Sequence, residues 1–270
     1  MERVEVQNGV GTAPAGVPAG VLARVFLRSL VLQASFNRRG MQNLGFAYAM
    51  WPALQVLYPD RAARTRAAAR HLAFFNTHPY LASAILGGVI FHEERVARGE
   101  ESPDVVENFK RALQGPFAAV GDSFFWLSLR PSAGILAALL SPWIGLWAVA
   151  LFLVLYNVPH VAFRLVLFVD GYRRGDRVVE RVARAALPKW GARLRGVSAA
   201  CGGAAAVVAA FLITGPGLPV EGEPWLAVSC AASALVFLAS WALLARGGTL
   251  LAAGLAIGLG LVLALLGAGW

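Results

Sequence analysis

The chain has 270 residues, of which 58% are hydrophobic and only 14% charged, with a mean hydropathy of +0.62. Soluble domains carry about a quarter charged residues, so this composition excludes an ordinary soluble domain and reads as a bundle of membrane helices. The net charge of +9 would suggest nucleic acid in a soluble protein, but RNP, zinc-finger and helix-turn-helix patterns are absent, and the arginines cluster between apolar runs, where the positive-inside rule accounts for them.

Residues 1–20 form a Gly/Pro/Ala-rich tail, expected to be disordered and without the pattern of a secretory signal. From Val21 to Leu32, Arg24 and Arg28 share one face of an amphipathic helix. Two readings stay open for it: a helix over residues 21–35 in the membrane interface, or a surface helix packed on its own protein. The apolar run Phe46–Leu57 is too short to span, since a crossing helix needs roughly 20 residues, and Pro52 is expected to interrupt it. Asp60 to Arg70 reads as a basic helix on the cytoplasmic side.

The chain is organised around Leu72–Gly88, where Asn76-Thr77-His78-Pro79 forms a polar knot between apolar runs. Proline lacks a backbone donor and disfavours a helical predecessor, so a helix should break here. A break inside a membrane frees backbone groups that protein or a water-filled cavity must satisfy, and transporters build substrate sites in this way. The alternative is a soluble turn with Asn76 as an N-cap.

Ala82–Phe91 is another short apolar run, readable as a hairpin or interfacial piece. His92–Lys110 is densely charged and expected to be in water; His92-Glu93-Glu94 lacks the HExxH spacing of a metal site and reads as a solvated helix end. Asp122 is the only acid between Glu107 and Asp170. An ionisable residue in so apolar a setting is a functional candidate that needs a partner, Arg130 or Arg164; it also suits an N-cap for a helix from Ser123.

Gly134–Leu155 is long enough to span, with Pro142 a possible division. Tyr156-Asn157-Val158-Pro159-His160 repeats the style of the first knot. Arg173 to Arg195 is basic and amphipathic, and spans are expected at 197–213, 225–244 and 250–266. The charges then place 173–195 and Arg246 inside, and 214–224, with Glu221 and Glu223, outside. Gly254 and Gly258 form an unspecific GxxxG contact face, and Trp270 an interfacial aromatic. Cys201 and Cys230 read as inert packing residues. Phosphate-binding, dinucleotide and GxSxG motifs are missing, and no nucleophile–base pair is evident. Transport or binding is favoured over chemistry, with no cofactor and no metal.

The stretches FLRSLVLQASFN, GMQNLGFAYAMWPAL, RHLAFFNTHPYLASAILG, GPFAAVGDSFFWLSLRP and YNVPHVAFRLVLFVDGYRRG resemble, in order, the enzyme IID component of the mannose/fructose/sorbose class of bacterial sugar phosphotransferase systems. The resemblance covers roughly residues 24–195; the C-terminal third matches only in hydropathy. The chain departs from the family pattern at Arg38-Arg39-Gly40, where an aromatic, an acid and an arginine are usual. It departs also in its tail and in the short segment between spans 197–213 and 225–244.

The resemblance implies an all-α integral membrane protein of the bacterial cytoplasmic membrane, with broken and re-entrant helices, a IID core over 36–195 and C-terminal transmembrane helices over 196–270. It implies an elevator-type transporter subunit that is not itself phosphorylated. Its partners would be enzyme IIC, the phosphocarriers IIA and IIB, a hexose and the lipid bilayer, in a trimer of IIC–IID pairs. Sugars need paired donors and acceptors and an aromatic face, which makes Asn37, Gln42, Asn43, Asn76, Thr77, Asp122 and Trp126 the candidates to face the sugar or line its gate. A self-sufficient secondary transporter and a diverged regulatory IID remnant stay open as alternatives.

Overall fold

A computed structural model describes residues 16–214. The expectations for residues 1–15, Glu221, Glu223, Cys230, the spans 225–244 and 250–266, Arg246, the Gly254/Gly258 pair and Trp270 lie outside the described residues. Within them every regular element is helical: α1 (Ala19–Ser29), α2 (Asn43–Leu57), α3 (Arg61–His71), α4 (Ala82–Ala97), α5 (Pro103–Gly121), a π-helical segment Asp122–Leu129, α6 (Arg130–Ile144), α7 (Trp147–Arg174), α8 (Val178–Arg184) and α9 (Leu187–Thr214). Two stretches, Pro103–Ile144 and Trp147–Gly203, are long and apolar enough to cross a membrane by length and composition.

The chain divides into two compact units, one of Met1–Leu129 with Val154–Gly191 and one of Arg130–Leu153 with Ala192–Trp270. In the second, the Ser198 hydroxyl bonds the Ser132 hydroxyl (2.5 Å) and the Leu194 carbonyl (2.7 Å). The first holds the core, around Phe46, Met50, Leu54, Phe75, Ile85, Leu86, Ile90 and Leu167. Helix α1 buries Val21, Val25 and Ser29, one face at helical spacing, and packs on α2.

Helix α2 runs unbroken through Pro52, contrary to expectation. Proline in a helix deprives the carbonyl four residues earlier of its donor. Here that carbonyl is Tyr48, and Arg28 Nη1 of α1 donates to it at 3.2 Å while its guanidinium lies 4.5 Å from the Tyr48 ring centroid. Arg28→Met is expected to cost about 1 kcal/mol in unfolding free energy. In a Pro52→Ala background the cost should shrink, because the restored amide takes over the bond; a double-mutant cycle on melting curves measures the difference. The apolar stretch at Pro142 is likewise undivided: the Ser141 hydroxyl bonds the Ala138 carbonyl at 2.8 Å. The chain instead turns at Gly145, whose φ of +55° is left-handed and suits glycine. Helix α7 also continues through Pro159, so the second knot is not a break.

Ala82–Phe91 belongs to α4, which is buried along nearly its whole length and is neither a hairpin nor an interfacial piece. The charged stretch after it is not simply in water. His92, Glu93, Glu94 and Lys110 are buried, because partners distant in sequence meet them. Glu93 binds Arg70, Glu94 accepts from the Val17 amide (2.7 Å) and the Tyr172 hydroxyl (2.8 Å), and His92 Nδ1 lies 2.8 Å from Glu101 Oε2. The solvated-end reading of His92-Glu93-Glu94 is therefore corrected. Among the described residues no cluster could hold a metal ion.

Candidate functional site: the polar knot and its cavity

Helix stops at His71 and restarts at Ala82, so the knot is a true break, with Phe75, Thr77, His78 and Pro79 buried. Asn76 is exposed and caps neither helix; the residue preceding α4 is Leu81. Non-helical backbone in a core needs partners for its amides and carbonyls. The loop before α2 supplies them. Gln42 is buried and clamps Thr77 from both sides: its Nε2 donates to the Thr77 carbonyl at 2.7 Å, and its Oε1 accepts from the Thr77 amide at 3.1 Å. The Gln42 amide donates to the Phe75 carbonyl (2.9 Å), and the Phe75 amide to the Gly40 carbonyl (3.3 Å).

The loop is itself pinned. Asn37 Oδ1 accepts from the Arg39 and Gly40 amides (3.1 and 2.8 Å), and its Nδ2 donates to Asn43 Oδ1 (2.9 Å). Asn43 Nδ2 donates to the Leu72 carbonyl at the start of the knot (2.6 Å). Gly40 is required here, because a Cβ would collide with the Asn43 amide. Met41, held between Asn37 and Phe75 by backbone bridges, has a left-handed φ of 56°, a strained state for a residue with a side chain. Replacing Gln42 with leucine is expected to destabilise by about 2–4 kcal/mol, since it strands the buried Thr77 amide and carbonyl. Hydrogen exchange at the Thr77 amide, accelerated in the variant, is the check.

Four candidates, Asn37, Gln42, Asn43 and Thr77, thus meet in one network. Asn76, Asp122 and Trp126 stand apart from it. The Asn76 amide donates to Gln114 Oε1 (3.2 Å), and its side chain makes no hydrogen bond among the described residues. Asp122 ends α5 and begins the π-helical segment rather than capping a helix from Ser123, and no ion pair joins it to Arg130 or Arg164 among the described residues. Trp126 packs on His78, ring centroids 4.9 Å apart. The π segment wraps the knot: Phe125 stacks on His78 at 5.2 Å, and Gly121 leaves the room that His78 fills. Such segments are rare and recur at functional sites.

Beside the knot is a cavity of about 300 Å³, the size of a small ligand pocket. Pro79 and Tyr80 of the knot and Trp126 of the π segment line it, with Leu30, Leu32 and Gln33 after α1, and Asn157, His160 and Arg164 on one face of α7. Tyr80 is held on several sides. The His160 ring stacks on it at 4.1 Å, the Tyr156 hydroxyl lies 2.9 Å from its own, and the Arg164 guanidinium is 5.6 Å from its ring centroid. Arg164 Nη2 donates to the Ser29 carbonyl at 2.6 Å. Sequence reasoning left Gln33, Tyr80, Asn157, His160 and Arg164 out of the site. For the three α7 residues the second Asn-Pro-His knot was the signal, since Asn157, His160 and Arg164 recur at helical spacing.

The knot is anchored at its start by buried charge outside both candidate spans. Arg70 Nε and Nη2 donate to Glu93 (2.7 and 2.9 Å), His71 Nε2 lies 2.9 Å from Glu93 Oε1, and the Tyr58 hydroxyl donates to Glu93 Oε2 (2.6 Å). Burial pushes the Glu93 carboxyl up, but the Arg70 guanidinium and the His71 ring against it outweigh that and hold it down at about 2. Burial pushes the His71 imidazole down, and raises the Tyr58 hydroxyl together with the Glu93 charge.

The profile of the mannose/fructose/sorbose-family IID component of phosphotransferase systems matches residues 18–202. The mannose-specific EIID component of Escherichia coli (strain K12) is 40% identical over 167 residues, covering 61% of this chain and 59% of that protein. The sorbose-specific EIID component of Klebsiella pneumoniae is 36% identical over 60% of each. The fructose permease IID component of Bacillus subtilis (strain 168) is 34% identical, over 59% of this chain and 58% of its own. The match thus spans about three fifths of the length of these curated relatives. A structure of the mannose transporter ManYZ with microcin E492 (MceA), solved by electron cryomicroscopy, matches over 94% of this chain and 97% of its own, at 29% identity and a TM-score of 0.58. Another solved membrane protein matches at 36% identity and a TM-score of 0.61, over 67% of each chain. With the family profile matched from the start of α1 into α9, this chain belongs to the mannose/fructose/sorbose family of phosphotransferase-system IID components.

Proposed function

We propose that this chain is the membrane subunit that, paired with an enzyme IIC, forms the pathway by which a hexose of the mannose/fructose/sorbose class enters a bacterium. Soluble IIA and IIB proteins phosphorylate the sugar during uptake, and this chain is not itself phosphorylated or catalytic. It sits in the cytoplasmic membrane, with residues 21–35 at the interface, 36–195 as the IID core and 196–270 adding transmembrane helices, in a trimer of IIC–IID pairs that works as an elevator. One observation carries the reading. The backbone of residues 72–81 leaves the helix at the edge of the apolar core, and where it is buried, at Thr77, its amide and carbonyl are met by the side-chain amide of Gln42, the kind of arrangement that lets a broken helix serve a transport site.

Within that reading Asn76, Asp122 and Trp126 face the sugar or its gate. Asn37, Gln42, Asn43 and Thr77 line the gate by holding the broken segment in shape. The test is Asn76→Ala, expressed with the partner proteins: uptake should fall while the variant still inserts and co-purifies with IIC. Transport kinetics identical to wild type would remove Asn76 from the site.

A further inference from the structure

We infer that the outward face of α7 and the basic turn after it form a binding site for an anionic phospholipid, with the acyl chains along Val158, Val161, Leu165 and Val166 and the phosphate among Arg173, Arg177 and Arg184. The site rests on the membrane reading above, because α7 must lie in a bilayer, and does not depend on which sugar is carried.

Helix α7 presents two unlike faces. Leu167, Phe168 and Gly171 are buried, the last against the backbone of α4. Val158, Val161, Leu165 and Val166 fall at i, i+3, i+7 and i+8 on the other side and are 60%, 43%, 48% and 46% exposed. A stripe of large apolar side chains left open in this way marks a contact with membrane or partner. The stretch Trp147–Gly203 is long and apolar enough to cross a bilayer, so hydrocarbon suits the stripe. Two turns beyond Val166, on the same helical face, stands Arg173, and it is exposed.

The stripe therefore ends on a cation, and the chain adds more. From Arg173 to Lys189 there are six cations against Asp176 and Glu180, all within the first unit. The short helix α8 folds back on the end of α7: Arg174 Nε and Arg181 Nε lie 3.2 and 3.9 Å from the same oxygen of the buried Asp170. It buries Val178 and Val182 and sets Arg177, Arg181 and Arg184 at i, i+4 and i+7 along an exposed flank. Asp170 accounts for Arg174 and Arg181. Arg173, Arg177 and Arg184 have no carboxylate partner among the described residues.

The two surfaces together select the ligand. Free phosphate would meet the arginines and leave the stripe open. An apolar protein face would cover the stripe and leave the arginines without anions. An anionic phospholipid satisfies both with one molecule. Its acyl chains lie along the stripe, and the guanidinium forks take its phosphate oxygens. Cations at the end of a span also draw anionic headgroups by charge. The exposed Trp190 next to Lys189 adds an indole, a ring enriched at headgroup depth.

The test uses the full chain with a candidate IIC, in a background where Cys201 and Cys230 are serine. Leu165→Cys is labelled with bimane, and the complex is reconstituted in vesicles of equal parts phosphatidylglycerol and phosphatidylcholine. The acyl chains of one lipid or the other carry bromine, which quenches the probe on contact. Brominated phosphatidylglycerol should quench about fivefold more effectively than brominated phosphatidylcholine, the enrichment that one basic side chain near the surface confers. Arg173→Gln, Arg177→Gln and Arg184→Gln together should abolish that preference in a complex that stays monodisperse. Arg61→Gln with Arg66→Gln, at exposed positions of α3, should leave it intact. Equal quenching by the two lipids in the parent complex overturns the site, leaving ordinary bilayer contact. A preference that survives loss of the three arginines overturns it as well. Quenching by neither lipid means that IIC or a second copy covers the face, and also overturns it. A chain that does not enter vesicles overturns the site and the membrane reading together. Uptake is not among the readouts, so loss of sugar transport bears on the transport reading alone.

Discussion

Replacing Glu93 with alanine is expected to destabilise the protein by about 3–5 kcal/mol, the usual cost of breaking a buried ion pair by removing one partner. Glu93 is fully buried and Arg70 nearly so. Without the carboxylate, Arg70 and Tyr58 lose a common acceptor, His71 Nε2 loses the carboxylate oxygen 2.9 Å away, and an uncompensated guanidinium is left at the end of α3, where the knot begins. Loss of monodisperse protein in size-exclusion chromatography and a lowered Tm in detergent are the readouts. The pH dependence carries the same mechanism with a definite sign. The folded-state carboxyl is held at about 2, below its ordinary 4.5, so the stabilisation is complete above pH 4.5 and drains away as pH falls toward 2. Wild type should lose stability through that window more steeply than Glu93→Gln, which has no carboxylate to protonate. Equal acid sensitivity in the two proteins would remove Glu93 from the account.

Adding a side chain at Gly87 or Gly171 should be comparably damaging. These glycines lie where α4 crosses α7. A Cβ at Gly87 would strike the Phe168 carbonyl and stand 2.8 Å from the Tyr172 nitrogen; one at Gly171 would strike the Ala84 carbonyl and stand 2.9 Å from the Gly88 nitrogen. The obstacles are backbone atoms on both sides, so no rotamer change relieves them and the helices must separate. Overpacking costs about 1–3 kcal/mol, and more where backbones must move; because α7 carries one wall of the cavity, uptake should fail along with stability. Gly20→Ala, with nothing within 4 Å of the added methyl, should match wild type in both. A stable, active Gly87→Val would mean that the two helices do not approach this closely.

The helical class, the break at Pro79 and the polar character of its neighbours were legible in the sequence because each depends on local chemistry. Pro52 was misread because its rescue is not local. Pro52 stays in a helix through Arg28, which reaches across from α1, and nothing near Pro52 advertises that donor. Pro142 did carry its signal, the preceding Ser141. The charged run after α4 was read as solvated because charge density is visible along a chain and pairing is not: the partners of Glu93 and Glu94 are 23 and 77 residues away. In the candidate site, the amides of Asn37, Gln42 and Asn43 were recognisable as functional groups, but the sequence could not tell that they face the backbone of the knot. Gln33 and Tyr80 gave no signal, since they join the cavity only when the end of α1 and the knot meet α7.

The most direct test of the transport reading is accumulation of radiolabelled mannose, glucose, fructose and sorbose by a host that lacks its own mannose-class transporter. The host expresses this chain with candidate IIC, IIA and IIB proteins, and again with this chain omitted. Intracellular sugar phosphate is expected in the complete set and none when this chain is left out. Equal accumulation without it, or uptake of free sugar by this chain alone, would contradict the assignment of a phosphotransferase subunit.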